Sequence, residues 1–301
     1  MFNRDLIKQD FSRAAARYND YAYLQREVAS SIAKMAAIYI HEKAQEKLKI
    51  QLLDVGSGTG FVMQEISDKI GEDINQLDAV QLDISLKMCQ QVHRYGAAVV
   101  GDMAILPVAS NGCDVVTSSL ALQWADKPEA VLKEMVRVLK PGGVLLCATL
   151  GPCSLFELRD ILTHIVGSAH GSYYPDVEDL MVAFSEDEVD IIDIIGEDKI
   201  IYYNSLKGLF KSIRSIGASN KMMDRKQVLT RGKLLRMEQD YGQRYGVLGG
   251  VSENGKNTTI IGDDGLLQKN SDLSADKEKS KVVLPLTWEI LYLAVVKPCR
   301  K

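Results

Sequence analysis

Nowhere in this 301-residue sequence do apolar residues run for the roughly 20 positions that a bilayer-crossing helix requires. The opening, MFNRDLIKQDFSRAAARY, carries charge where a secretion signal needs its apolar segment, so neither a membrane nor an exported setting is expected. Cysteine is sparse. The five copies, Cys89, Cys113, Cys147, Cys153 and Cys299, are odd in number and lack paired metal-ligand spacing. Free thiols in a reducing cytoplasm, and no metal site, are the expectation. Nor is there an excess of positive charge: a net charge of −4 argues against a surface built for nucleic acid. What is present, 46% hydrophobic and 25% charged residues, suffices to bury a core in one large domain or two modest ones.

Along the chain, AARYNDYAYLQREVASSIAKMAAIYI has apolar residues three and four apart and neither Pro nor Gly, which predicts helix over most of residues 1–48. From Ile50 five β-type runs, IQLLDV, QLDAVQLD, GAAVVGD, CDVVTSSL and GGVLLCATL, alternate with helix candidates at Phe61–Ile70, Ser85–Tyr95 and Pro128–Leu139. Strands apolar on both faces that alternate with helices predict an α/β unit, a parallel sheet covered on two sides. Beyond Gly151 the pattern loosens around two further strand candidates, DKIIYYN and the closing PLTWEILYLAVVK, the latter expected at a sheet edge. Residues 241–281, rich in Gly, Asn, Asp, Ser and Lys, read as a flexible insertion.

The densest signal is LLDVGSGTG, Leu52–Gly60. A strand, a glycine-rich turn and a helix bring a ligand against backbone amides, an approach that residues without a Cβ permit. The spacing is G-x-G-x-G followed by Phe61, without the last glycine of the dinucleotide fingerprint and without the Gly-Lys-Ser/Thr of a phosphate loop. An acid, Asp54, stands two residues ahead of the loop, another, Asp83, closes the second strand, and GDM after the third supplies Asp102.

These elements in this order resemble the class I S-adenosylmethionine-dependent methyltransferases. The resemblance implies a doubly wound, Rossmann-like, seven-stranded and mostly parallel sheet at residues 49–301, an N-terminal helical lid at 1–48, and helical caps at about 152–190 and 205–240. It implies that Asp54 helps hold the ligand's amino group, that Gly56, Ser57, Gly58 and Gly60 pass under its amino-acid portion, and that Asp83 takes both ribose hydroxyls, with Ile84 beside it. Two acceptor oxygens suit a vicinal diol. Asp102 and Met103 would meet the adenine, and Ser118 and Leu120 complete the expected cofactor contacts.

The flanks, FSRAAARYNDYAYLQREVA, SSLALQWADKPEAVLKEMVRVLKPGG, SIRSIGASN and PLTWEILYLAVVK, together look like the malonyl-acyl-carrier-protein O-methyltransferases of biotin synthesis. The resemblance covers nearly the whole chain except residues 241–281. It implies a cytoplasmic, monomeric enzyme that esterifies the free carboxylate of a malonyl thioester with S-adenosylmethionine, leaving S-adenosylhomocysteine. A carboxylate is already ionised at neutral pH, so attack on a sulfonium methyl needs no general base. A related family, complex I assembly proteins that hydroxylate an arginine, shares the core and the MFNRDL-like opening, but carries His where this chain has Gln123 before Trp124. A scaffold that binds the ligand without catalysis is the third reading.

Tyr18 and Gln25, seven apart, share a helical face and are candidates to orient the substrate, Tyr18 through its hydroxyl. Arg17 or Arg214 can offer a two-pronged pair to malonate. Gln123 and Trp124 complete the candidate substrate contacts. From Leu206 to Arg236 nine Lys and Arg stand against one acid, Asp224. Leu206, Leu209, Phe210, Ile213 and Ile216 form an apolar stripe, Lys207, Lys211 and Arg214 a neighbouring basic face, and Gly217 a stop. That face suits an acidic acyl carrier protein as partner.

Overall fold

The structure, a computed structural model, describes residues 4–46, 49–92, 96–167, 174–184, 188–218, 230–248, 259–268 and 282–299. Its elements run α1 (Arg4–Ala14), α2 (Tyr18–Tyr21), α3 (Tyr23–Gln45), β1 (Ile50–Val55), α4 (Phe61–Ile70), β2 (Leu77–Asp83), α5 (Leu86–Cys89), β3 (Ala97–Val100), β4 (Cys113–Ser119), α6 (Pro128–Val138) and β5 (Leu139–Leu150). They continue as α7 (Phe156–Val166), α8 (Val177–Met181), β6 (Asp190–Tyr203), α9 (Leu206–Ser215), α10 (Arg231–Arg244), β7 (Val247–Leu248), β8 (Ile260–Ile261) and β9 (Val282–Val296). No helix among the described residues is long and apolar enough to cross a membrane.

The chain divides into two compact units, residues 1–151, 174–197 and 290–301 in the first and residues 152–173 and 198–289 in the second. In the first, β1 pairs in parallel with β2 on one side and β4 on the other, β2 continues to β3, and β4 to β5. The chain starts at the centre, winds outward to β3, and crosses back beyond β1 to β4. That reversal opens a crevice at the carboxyl ends of β1 and β4. β9 is antiparallel to β5, from Val144↔Val296 to Leu150↔Ile290. It lies between β5 and β6 and is therefore an interior strand, not the edge expected from its sequence. Buried residues on almost every position from Leu286 to Val295 explain this, since an edge strand would leave one side to water. Among the described residues seven strands of four residues or more carry the fold, and β7 and β8 add two residues each.

Burial fixes the helices. Val28, Ile32, Ala36 and Ile40 of α3 are spaced by four and fully or nearly fully buried, and α3 packs on α4. In α6 Pro128 takes the first turn, where its missing N–H costs nothing, and Val131, Leu132, Met135 and Val138 enter the core with Leu53, Val116, Leu145 and Leu293.

Three sequence expectations are corrected. The N-terminal helical stretch is broken between Ala14 and Tyr18 and again at Ala22, although no Pro or Gly marks either place; Tyr21 and Ala22 turn inward and are buried. The helix expected at Ser85–Tyr95 is only Leu86–Cys89, capped by the Ser85 hydroxyl, which accepts from the Met88 amide at 3.3 Å; residues 93–95 lie outside the described residues. Part of the segment read as a flexible insertion is ordered, since α10 extends to Arg244 and β7 and β8 follow. Its residues 249–258 and 269–281 lie outside the described residues.

In the second unit, the buried Glu157 of α7 accepts from the amide and hydroxyl of Thr287 at 3.1 and 2.6 Å. The Tyr241 hydroxyl of α10 donates to the Pro285 carbonyl at 2.6 Å. Both helices are thereby tied to the first half of β9.

Candidate active site

A cavity of about 250 Å³ opens at the carboxyl ends of β1, β2, β3 and β4, all within the first unit. The glycine loop forms its floor. Gly56 has φ +71°, and a Cβ there would stand 2.3 Å from that of Ala121, so no side chain fits between the β1 and β4 loops. Gly58 has φ +56° with open space where a Cβ would be, and its amide donates to Asp83 Oδ2 at 3.0 Å. The Ser85 amide donates to Asp83 Oδ1 at 2.8 Å. Burial pushes the Asp83 carboxyl up, and these two amides pull it back. Each oxygen keeps acceptor capacity for a ligand hydroxyl, as a ribose diol requires.

The β3 loop supplies Asp102, whose Oδ1 accepts from the Ala104 amide at 2.9 Å and whose Oδ2 accepts from Arg4 at 2.6 Å. Met103 lines the same wall. After β4, Leu120 adopts φ +51°, a strained conformation for a side chain of that size, and its amide donates to the Ala148 carbonyl at 2.8 Å. The strain turns Leu120 and Ala121 toward the cavity. The hydroxyls of Ser57 and Ser119 are buried and without a hydrogen-bond partner among the described residues. Both residues line the cavity, so a ligand with polar atoms at these points would complete them.

Of the residues singled out from sequence, Gly56, Ser57, Gly58, Asp83, Ile84, Asp102, Met103 and Leu120 line this cavity, together with Tyr18, Gln25 and Trp124. Tyr18 and Gln25 reach it from α2 and α3, across the break at Ala22 rather than along one helix. The Tyr18 ring lies 6.2 Å from that of Phe61, and burial, with the neighbouring Asp83 carboxylate, raises the affinity of its hydroxyl for the proton. Tyr18 therefore keeps its proton and can donate a hydrogen bond.

Other expected contacts are absent from the lining. Asp54 is fully buried; Oδ1 accepts from the Thr117 hydroxyl at 2.8 Å and Oδ2 has no hydrogen-bond partner among the described residues. Gly60, φ +88°, starts α4. The Ser118 hydroxyl donates to the Val55 carbonyl at 3.0 Å, stapling β4 to β1. Gln123 donates to the Leu120 carbonyl at 2.7 Å and so props the strained turn. Arg17 donates to the Tyr21 hydroxyl at 2.9 Å, its guanidinium 5.5 Å from the centre of that ring. Lys207, Lys211 and Arg214 belong to the second unit and do not line the cavity.

Sequence reading missed Arg4, Ile7 and Phe11 of α1, which line the cavity, as does Lys127 at the start of α6. The spacing of the first three, three and then four apart, was the available signal.

The arrangement can hold a nucleoside by its diol and base at the ends of β2 and β3 and leave its remaining part over bare backbone at β1. No His or Cys is among the described residues that line it.

Residues 53–147 match the methyltransferase domain family. The malonyl-(acyl-carrier protein) O-methyltransferase of Laribacter hongkongensis is 33% identical over 72% of this chain and 75% of its own length. That of Dechloromonas aromatica is 32% identical over 71% of this chain and 76% of its length. The biotin biosynthesis bifunctional protein BioHC of Saccharophagus degradans is 30% identical over 80% of this chain, which spans 43% of that longer protein. With relatives at this identity matched over three quarters of their length, and the cofactor-type cavity at the strand ends, the chain belongs to the malonyl-(acyl-carrier protein) O-methyltransferase family.

Proposed function

We propose that this enzyme transfers a methyl group from S-adenosylmethionine to the free carboxylate of a malonyl thioester borne on acyl carrier protein, in the synthesis of biotin. The carrying observation is the union of the glycine loop with Asp83 through the Gly58 amide, inside a family named for this reaction. The same relatives favour O-methylation over the arginine-hydroxylase alternative.

The chain's residues fit the cofactor. Asp83 would take the ribose hydroxyls, Asp102 the adenine amino group, and the buried hydroxyls of Ser57 and Ser119 offer partners that they otherwise lack. When bound, S-adenosylmethionine supplies an electrophilic methyl on a sulfonium centre.

Tyr18 and Gln25 present a hydroxyl and an amide to the incoming carboxylate. Both are neutral donors, which orient an anion without quenching its nucleophilicity as an ion pair would. Ile7, Phe11, Phe61 and Val62 exclude water. In a dry cavity, opposite charges that cancel during methyl transfer favour the charge-dispersed transition state. The exposed Lys207, Lys211 and Arg214 of α9 form the docking face for the acidic carrier protein, supported by the burial of Leu206, Leu209 and Ile213 on the opposite side of that helix.

Incubation with methyl-labelled S-adenosylmethionine and malonyl carrier protein should yield a base-labile methyl ester. Cofactor binding without label transfer would overturn the reading in favour of a non-catalytic scaffold.

A further inference from the structure

Part of the segment that the family resemblance leaves out is planted on α9, within the second unit. Residues 260–268 fold back on themselves: the Gly262 amide donates to the Leu266 carbonyl at 3.0 Å and the Gln268 amide to the Ile260 carbonyl at 2.9 Å. Ile260 and Ile261 pair in parallel with Tyr202 and Tyr203 of β6. The turn of this hairpin, Gly262 to Gly265, lies against the helix. A Cβ at Gly208 would collide with the Gly262 carbonyl, and one at Gly265, which has φ +78°, would stand 3.2 Å from Lys211 Cγ. Only residues without a Cβ allow so close an approach. The Ser205 hydroxyl donates to Asp263 Oδ1, and the Leu266 amide donates to Asp264 Oδ1 at 3.0 Å. Both carboxylates are thus held by neutral donors, which leaves each its charge.

Ser205, Gly208 and Ser212, three and four residues apart, share one face of α9, and Lys207, Lys211 and Arg214, four and three apart, share the next. The hairpin covers the first face: Gly208, Ser212, Gly262 and Gly265 are buried. It leaves the second open and borders it with two exposed acids, Asp263 and Asp264. From this we infer that the turn at residues 262–265 is a repulsive element of the carrier-docking face, whose two carboxylates hold an acidic carrier protein off one flank of α9 and make it bind less tightly than the bare basic face would. The inference rests on the docking face assigned above. Like charges set across an interface restrict which partners bind and in which register, while the cations beside them supply the attraction. The turn belongs to a segment outside the family resemblance, so this repulsion is a feature of this chain added to a shared helix.

The test is the KM of the full chain for malonyl carrier protein and for a small malonyl thioester. Asp263→Asn with Asp264→Asn removes both charges while the amide oxygens can keep both hydrogen bonds. At low salt it should lower KM for the carrier-bound substrate by about two- to fivefold, the range of exposed charge interactions, and leave that for the small thioester unchanged. At high salt, variant and wild type should converge. Gly208→Ala displaces the turn without altering any charge and should shift KM in the same direction; if it fails to fold, the exposed aspartates carry the test. An unchanged or higher KM for the carrier-bound substrate, or an equal fall for the small thioester, overturns the inference. Failure of the docking face itself would show differently, as a KM for malonyl carrier protein that Lys211→Glu with Arg214→Glu does not raise, and the inference would fall with it.

Discussion

Two buried aspartates near the glycine loop show how placement separates residues that look alike in sequence. Asp83 receives the Gly58 and Ser85 amides and faces the cavity, so its charge is supported and its free lone pairs serve a ligand. Asp83→Ala should weaken S-adenosylhomocysteine binding by roughly 1.5 to 3 kcal/mol, the scale of hydrogen bonds to a charged group. Isothermal titration checks it, and unchanged affinity would remove Asp83 from the site. Among the described residues Asp54 has one hydroxyl for company, and its carboxyl is pushed up to about 7, first by burial, against the pull of Thr117, with Asp83 adding a push. The unfolded chain gives up this proton near pH 4 and the folded chain holds it to about 7. Between those values the folded state binds more protons, so stability falls as pH rises. Asp54→Asn should flatten that fall, leaving the part that Asp83 adds in the same direction. Urea midpoints at about pH 5 and about pH 8 decide it; equal slopes in variant and wild type would refute the assignment.

Among the elements, α9 matches its sequence pattern closely. Leu206, Leu209, Ile213 and Ile216 are buried, Lys207, Lys211 and Arg214 are exposed, and Gly217 follows the last turn with φ +77°. A helix whose inner face alone holds it can carry any charge outside. Lys211→Glu with Arg214→Glu should therefore leave the fold intact, raise KM for malonyl carrier protein by about tenfold or more, and spare a small malonyl thioester, given the coupling measured for interfacial charge pairs. Equal effects on both substrates would contradict docking at this face. The parallel strands and α4 were legible for a similar reason: their burial is periodic and local. The breaks before Tyr18 and at Ala22 were not, because no residue there disfavours helix and only the inward turn of Tyr21 and Ala22 explains them. Arg4 was equally hidden. An arginine in a polar helix gives no sign of which carboxylate, 98 residues on, it will meet.

At the scale of the whole molecule, the cavity belongs to one of two compact units, and β6 and β9 each contribute residues to both. A ligand that binds only the folded state stabilises it by about 2.7 kcal/mol at a hundred times its dissociation constant. S-adenosylhomocysteine should accordingly raise the calorimetric transition in which the first unit melts. A melting curve unmoved by saturating ligand would be incompatible with a cavity built for it.

The sequence by itself determined the α/β class, the glycine loop with its strand-end acids and the basic face of α9, because each rests on residues near one another in the chain. Only the tertiary structure decided that β9 lies inside the sheet, that Asp54, Ser118 and Gln123 spend their side chains on the scaffold, and that α1 walls the cavity. Those outcomes depend on which distant groups meet once the sheet has closed around its core. Local periodicity carries no record of such meetings.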